Sequence, residues 1–249
     1  MQTSEQRQEG TVPTYQNIYD IACRRKGSED QLESLLAGPL SGAQLKVIPD
    51  ATYLSALTKK VFQSGFVWRV VEAKWDNFEL LFWGFDIDKL LMMPDEMLEQ
   101  RAHDQRIIRN YRKVWAIREN ALMIDLTRRH HQCSFAAFIA DWPCDDIVGL
   151  WAYLKKHGSR LGGNIGPYAL RALGKDTFLL TRDVEAYLRE AKVIETGINT
   201  KSALSRTQQF FNDLQQESGR SLTELSRLVS LSHGDNRAGL QAEVAQRSA

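Results

Sequence analysis

The stretch "RLGGNIGPYALRALG" sets Gly162, Gly163 and Gly166 ahead of a proline and an apolar-periodic run. Glycines accept positive φ and close backbone approach, and a proline in the first helical turn gives up no needed amide. The spacing predicts a tight turn through Gly162, Gly163, Asn164, Ile165 and Gly166, with Pro167 opening a second helix whose bare amides and dipole form an anion site. Lys155, Lys156 and Arg160 lie just upstream, so the anion implied is a DNA phosphate gripped through the main chain. An ordinary corner between two helices uses the same glycines, and spacing alone does not separate the two readings. Further on, Asp183 begins "DVEAYLREA", where a carboxylate caps a helix or stabilises a developing positive charge.

The elements that carry these residues read as helices. "YLSALTKKVFQSGFVWRVVEAKW" and "RIIRNYRKVWAIRENALMIDLTRRH" place apolar residues at three and four spacing, which predicts two amphipathic helices, the second one long. "SFAAFIADW" stops at Pro143, and "DDIVGLWAYLKKHG" has acids first and lysines then glycine last, as the helix dipole favours. Ser202 precedes "ALSRTQQFFNDLQQES", and "RSLTELSRLVSLS" starts a further helix near Ser221. Only "TFLLT" offers a short strand. The expectation is an all-α fold with a flexible segment over 1–14, a main domain over 15–233 with its hairpin at 155–175, and a polar tail over 234–249.

Composition sets the remaining bounds. The chain has 249 residues, 43% hydrophobic and 25% charged, enough for a sizeable buried core. It lacks an apolar run long enough for a membrane span and its start lacks a secretory pattern, which implies a cytoplasmic protein associated with the nucleoid, with no membrane partner. Three cysteines suit a reducing compartment. "HHQC" has no second ligand pair at matching spacing, so neither metal nor cofactor is expected. The net charge is +1, yet Arg101–His130 carries eight basic residues against three acidic, and Lys155–Lys175 five against none. Such local faces can follow a phosphate backbone, or can be simply solvated.

Two blocks carry a family resemblance. The hairpin with Asp183 beyond it resembles the helix-hairpin-helix DNA glycosylase superfamily, and "FQSGFVWRVVEAKWDNFELLFWGFD" with "RIIRNYRKVWAIRENA" resembles the DNA-3-methyladenine glycosylase I family, over about Tyr53 to Leu188. The resemblance implies a helical bundle with its active-site cleft between two helical subdomains. It places Phe62, Gln63 and Trp68 in a base pocket, with Trp68 stacking on the extruded purine and Tyr168 or Tyr19 as further walls. Phe66 reads better as core. Arg109 and Asn110, in "IIRN", support the pocket or a nearby phosphate. Lys60 falls where the family has its pocket glutamate, and only Cys23 and His233 stand near the family's zinc clasp, so no zinc is expected.

What the resemblance implies chemically is a monofunctional glycosylase acting as a monomer on double-stranded DNA with a damaged base. It extrudes an alkylated, 3-methyladenine-like purine and hydrolyses its N-glycosidic bond, with Asp183 as the carboxylate beside the oxocarbenium-like sugar. The Schiff-base lysine of backbone-cutting relatives falls on Pro167 or Tyr168, so no lyase activity is expected. Two other readings stay open: a non-catalytic DNA-binding module of the same fold, and a helical protein-interaction domain in which the hairpin is only a corner.

Overall fold

The computed structural model describes residues 14–234; apart from Thr14 and Gly234, the expected flexible start and polar tail lie outside them. The chain divides into two compact units, one built from the residues up to Gly38 together with those from Phe178 onward, the other from the continuous segment Pro39–Thr177. Among the described residues there is no strand, and no helix is long and apolar enough to cross a membrane.

The first unit begins with α1 (Tyr15–Lys26) and α2 (Glu29–Glu33). The central unit contains α3 (Gly42–Lys46), α4 (Asp50–Gln63), α5 (Trp68–Glu72), α6 (Trp75–Leu81), α7 (Ile87–Leu91), α8 (Asp95–His103), α9 (Tyr111–His131), α10 (Phe135–Asp141), α11 (Ile147–His157) and α12 (Ile165–Ala172). The chain then returns to the first unit with α13 (Arg182–Glu190), α14 (Lys201–Ser218) and α15 (Leu222–Ser232).

In the central unit α4 buries Tyr53, Leu54, Leu57, Val61 and Phe62, the stripe its spacing predicts. It does not continue to Trp75 as the periodicity suggests. Its last turn ends at Gln63, and Gly65 takes φ +75°, a left-handed conformation that stops the helix before α5. Beyond it Trp75 stacks on Phe78 at 5.0 Å and on Phe85 at 5.6 Å between ring centroids, while Phe62 meets Phe78 at 4.6 Å. These rings are the aromatic core of the unit.

The second expected helix is also shorter. Asp104 Oδ1 accepts from the Arg106 amide at 2.9 Å, and Asn110 Oδ1 accepts from the Lys113 amide at 3.1 Å. Each side chain offers the backbone an alternative to helix, so residues 104–110 bend and α9 begins only at Tyr111. Ile107 and Ile108 are buried all the same, from an irregular segment. Asp50, in the first turn of α4, reaches across to α10 and accepts from the Phe135 and Ala136 amides at 3.1 and 2.9 Å. One carboxylate thereby satisfies two first-turn donors of another helix.

In the other unit α1 packs on α15, burying Ile18 and Ala22 against a helix whose Leu222, Leu225, Leu228 and Val229 are fully enclosed. Ser221 caps α15 in a reciprocal pair with Glu224, at the start its sequence indicates. Thr200, rather than Ser202, caps α14. "TFLLT" is not a strand; Phe178 within it stacks on Phe211 of α14, centroids 4.5 Å apart.

Candidate nucleic-acid interface and base-binding site

The hairpin lies wholly in the central unit. α11 ends in Lys155, Lys156 and His157, the turn runs over 158–164, and α12 follows. α12 starts at Ile165, two residues earlier than Pro167 suggests, and the proline sits buried in its first turn, where a missing amide is tolerated. Within the turn Ile165 donates to Gly162 O at 3.4 Å. Gly163 has φ +61°, and a Cβ there would meet nothing within 4 Å, so its requirement is conformational. At Gly158 the requirement is space: a Cβ would lie 2.5 Å from Leu161 Cδ1 and 2.8 Å from Leu154 O. Arg160 also adopts positive φ, +60°, an uncommon and costly conformation for a residue with a side chain. Lys155, Arg160, Gly163 and Asn164 are exposed, Gly162 and Ile165 are half-buried, and Gly166 is buried with a virtual Cβ 3.1 Å from Leu161 O.

Sequence reasoning missed the side chain that holds this turn. Asn120, 1% exposed on α9, donates through Nδ2 to Ser159 O at 3.1 Å and accepts through Oδ1 from Ser159 N at 2.7 Å. The signal was present only as a polar residue on the apolar face of a long helix.

Trp68, Lys60, Gln63 and Tyr168 come together in the same unit. Trp68 opens α5 and is 52% exposed, with the Lys60 ammonium 4.6 Å above its ring and the Tyr168 ring nearly perpendicular at 6.2 Å. Gln63 is buried; its Oε1 accepts from Lys60 Nζ at 2.8 Å and its Nε2 donates to Glu72 Oε1 at 2.8 Å. The other Glu72 oxygen pairs with Lys59 Nζ at 3.2 Å. Burial lowers the pKa of Lys60, Glu72 opposes that shift and Lys59 adds to it.

Lys113 is the second residue that the sequence did not disclose. It is buried, and its ammonium donates to Phe62 O at 3.2 Å and Ser64 O at 2.6 Å, tying the first turn of α9 to the end of α4. Burial lowers its pKa, with Arg160 of the hairpin adding to the shift. Phe62 is fully enclosed against Phe78 and therefore belongs to the core. Phe66 is the reverse case: expected in the core, it is 43% exposed, because α4 has already ended and the turn carries it outward. Arg109 is exposed, and Asn110 beside it serves as the cap of α9.

Asp183 lies in the other unit. Thr181 takes the capping position of α13, its hydroxyl accepting from the Val184 amide, so Asp183 is not the cap. Ser230 Oγ donates to Asp183 Oδ2 at 3.4 Å, and a Cβ on Gly234 would run into Oδ1. Tyr19 is also in this unit, and its hydroxyl donates to Glu33 at 2.7 Å and Glu29 at 3.0 Å. The Cys23 thiol pKa is raised by burial, and His233 Nδ1 lies 3.5 Å from Glu190.

A methyladenine glycosylase family model matches residues 45–157, most of the central unit, including Lys60, Gln63, Trp68 and Arg109. The match covers a little under half of the chain. The glycine turn after His157 and Asp183 both lie beyond the matched residues. A solved structure of a 3-methyladenine DNA glycosylase I is 23% identical over 59% of this chain and 90% of that chain, with a TM-score of 0.45. No curated protein sequence matches.

Proposed function

We propose that the protein is a DNA base-excision glycosylase that extrudes an alkylated purine, of the size of 3-methyladenine, from duplex DNA and hydrolyses it off to leave an abasic site. The observation that carries this reading is the Trp68–Lys60–Gln63–Tyr168 cluster, inside the family-matched unit that also holds the basic hairpin. Phosphates bind at the hairpin through main-chain amides with Lys155 and Arg160 alongside, and the flipped base stacks on Trp68, which offsets the stacking lost in the duplex.

Bond cleavage builds positive charge on the sugar at C1′. Asp183 is the proposed carboxylate that stabilises this charge and accepts a proton from the attacking water. The C1′–N bond breaks with its electron pair going to the base, and the water oxygen bonds to C1′. No amine stands in the hairpin helix at the positions of Pro167 or Tyr168 to form a Schiff base, so the proposed product is an uncut abasic strand. The region over 15–233 is the proposed catalytic part, acting as a monomer on DNA in the cytoplasm.

The test is release of free base from methylated duplex DNA, wild type beside Asp183→Asn, with alkali added to reveal abasic sites. Release that falls at least about a hundredfold in the variant supports the reading and the role of Asp183. Release unaltered in the variant removes Asp183 from it. The Lys60 ammonium on the Trp68 face favours one second reading, a DNA-binding module without catalysis, in which DNA is bound and no base is ever released.

A further inference from the structure

The face of Trp68 already carries a cation. The Lys60 ammonium lies 4.6 Å over the ring, and Gln63 Oε1 takes one of its three donor hydrogens. The nearest carboxylate, Glu72, does not cancel this charge, since its two oxygens are held by Lys59 and by Gln63 Nε2. Lys59, Lys60 and Glu72 together leave one positive charge at the exposed tryptophan face. A flat base arriving on Trp68 displaces the ammonium from the ring, and the short helical tether from Lys60 to Gln63 keeps it at the base's edge.

From this geometry we propose that Lys60 makes the pocket selective for uncharged modified purines with a hydrogen-bond acceptor on the edge, and that it is a catalytic proton donor to them. This inference rests on the glycosylase reading above and fixes the charge class of its substrate. A cationic alkylpurine meets like charge at Lys60, while an acceptor nitrogen or carbonyl receives a charge-assisted hydrogen bond. The chemistry then balances. An uncharged purine leaves with the electron pair of the C1′–N bond and needs a proton, whereas a cationic one leaves neutral without help. As that bond breaks, the proton on Lys60 Nζ passes to the purine acceptor, water bonds to C1′ and gives its own proton to a carboxylate, and the lysine amine regains a proton from solvent. The lowering of the Lys60 pKa by burial suits such a donor.

The experiment compares single-turnover excision by the full chain from duplexes with one 1,N6-ethenoadenine or one hypoxanthine, both uncharged, and from methylated DNA carrying 3-methyladenine and 7-methylguanine. Lys60→Glu, Lys60→Met and Lys60→Arg are tested beside wild type, with melting curves to establish that each is folded. The proposal expects wild type to remove an uncharged base at least about tenfold faster than either cationic one. Lys60→Glu should reverse that order, Lys60→Met should lose removal of uncharged bases, and Lys60→Arg should keep the wild-type order. Faster removal of the cationic bases by wild type, or an order that Lys60→Glu leaves alone, overturns it. Should no base be released from any duplex, the glycosylase reading fails by itself, and calorimetric titration with inosine, which is uncharged, and 1-methyladenosine, a cation at neutral pH, decides the site. Binding of inosine alone, lost in Lys60→Glu, supports charge selection without catalysis; binding of neither, or of 1-methyladenosine in preference, overturns it.

Discussion

Asn120 grips the backbone of Ser159 at both polar atoms, donating to its carbonyl at 3.1 Å and accepting from its amide at 2.7 Å. The hairpin turn is thus set from the long helix α9. Asn120→Ala leaves two part-buried backbone groups without these partners and should cost about 1–2 kcal/mol of stability. It should also weaken DNA binding alike for every sequence. Urea unfolding and a salt-dependent binding titration check this, and unaltered affinity at full occupancy of the fold would separate the turn from DNA.

Lys113→Met keeps the aliphatic stem and deletes the ammonium that holds Phe62 O and Ser64 O. A loss of about 1–2 kcal/mol is expected, moderated by removal of a buried charge. Because those carbonyls fix the approach to Gln63 and Trp68, base release should fall more than tenfold, a kinetic effect larger than the thermal one. Equal wild-type rates would show that the turn is set by other contacts.

Trp68 is half exposed, so Trp68→Ala should cost less than about 1 kcal/mol in thermal unfolding. Stacking of one base is worth roughly 1–3 kcal/mol, so base affinity should fall about tenfold to a hundredfold. Comparable damage to both quantities would return the residue to a packing role.

Gly163→Val and Gly158→Ala test two different demands within one turn. The first places its Cβ in open space but forces a β-branched residue to φ +61°, at roughly 1–2 kcal/mol. The second puts a methyl against Leu154 O and should be the more disruptive in unfolding experiments. Both should reduce DNA affinity without altering sequence preference, and a shallow salt slope in the wild type would count against phosphate contacts altogether.

Alkali should unfold the central unit in part through Tyr53. Its hydroxyl donates to Leu45 O at 3.2 Å, and burial, with Asp50 adding, pushes its pKa up to about 12. The folded state therefore keeps this proton over a range where the unfolded chain loses it. The stability concerned is complete below about pH 10 and declines as pH climbs from there to about 12. Tyr53→Phe should flatten that decline in denaturant titrations from pH 9 upward, after a small loss at neutral pH; an unchanged decline would assign it elsewhere.

The helical character, the hairpin and the apolar stripe of α4 were readable because each depends on local spacing. Trp68, Gln63 and Tyr168 were named through the family resemblance and not through spacing. What spacing could not supply was where a periodic run stops. Asp104 and Asn110 interrupt the second long helix by side-chain hydrogen bonds to nearby amides, and Gly65 ends the first through its backbone conformation. Phe66 was misplaced by that unread stop. Asn120 and Lys113 act on segments far away in sequence, Ser159 and Phe62, and no local pattern announces such a partner. Thr181, two positions before Asp183, took the cap that a lone aspartate at a helix start invites.

One unit is drawn from both sides of the other, and this orders events at the ribosome. Pro39–Thr177 is continuous and can fold while it emerges, but α1 has to wait for α15, its packing partner near the far end. At about 5–20 residues per second, the roughly 200 residues between them take on the order of 10–40 s to synthesise. For that interval Ile18 and Ala22 face water or a chaperone. Of the described helices, the first to be translated is among the last to find its place.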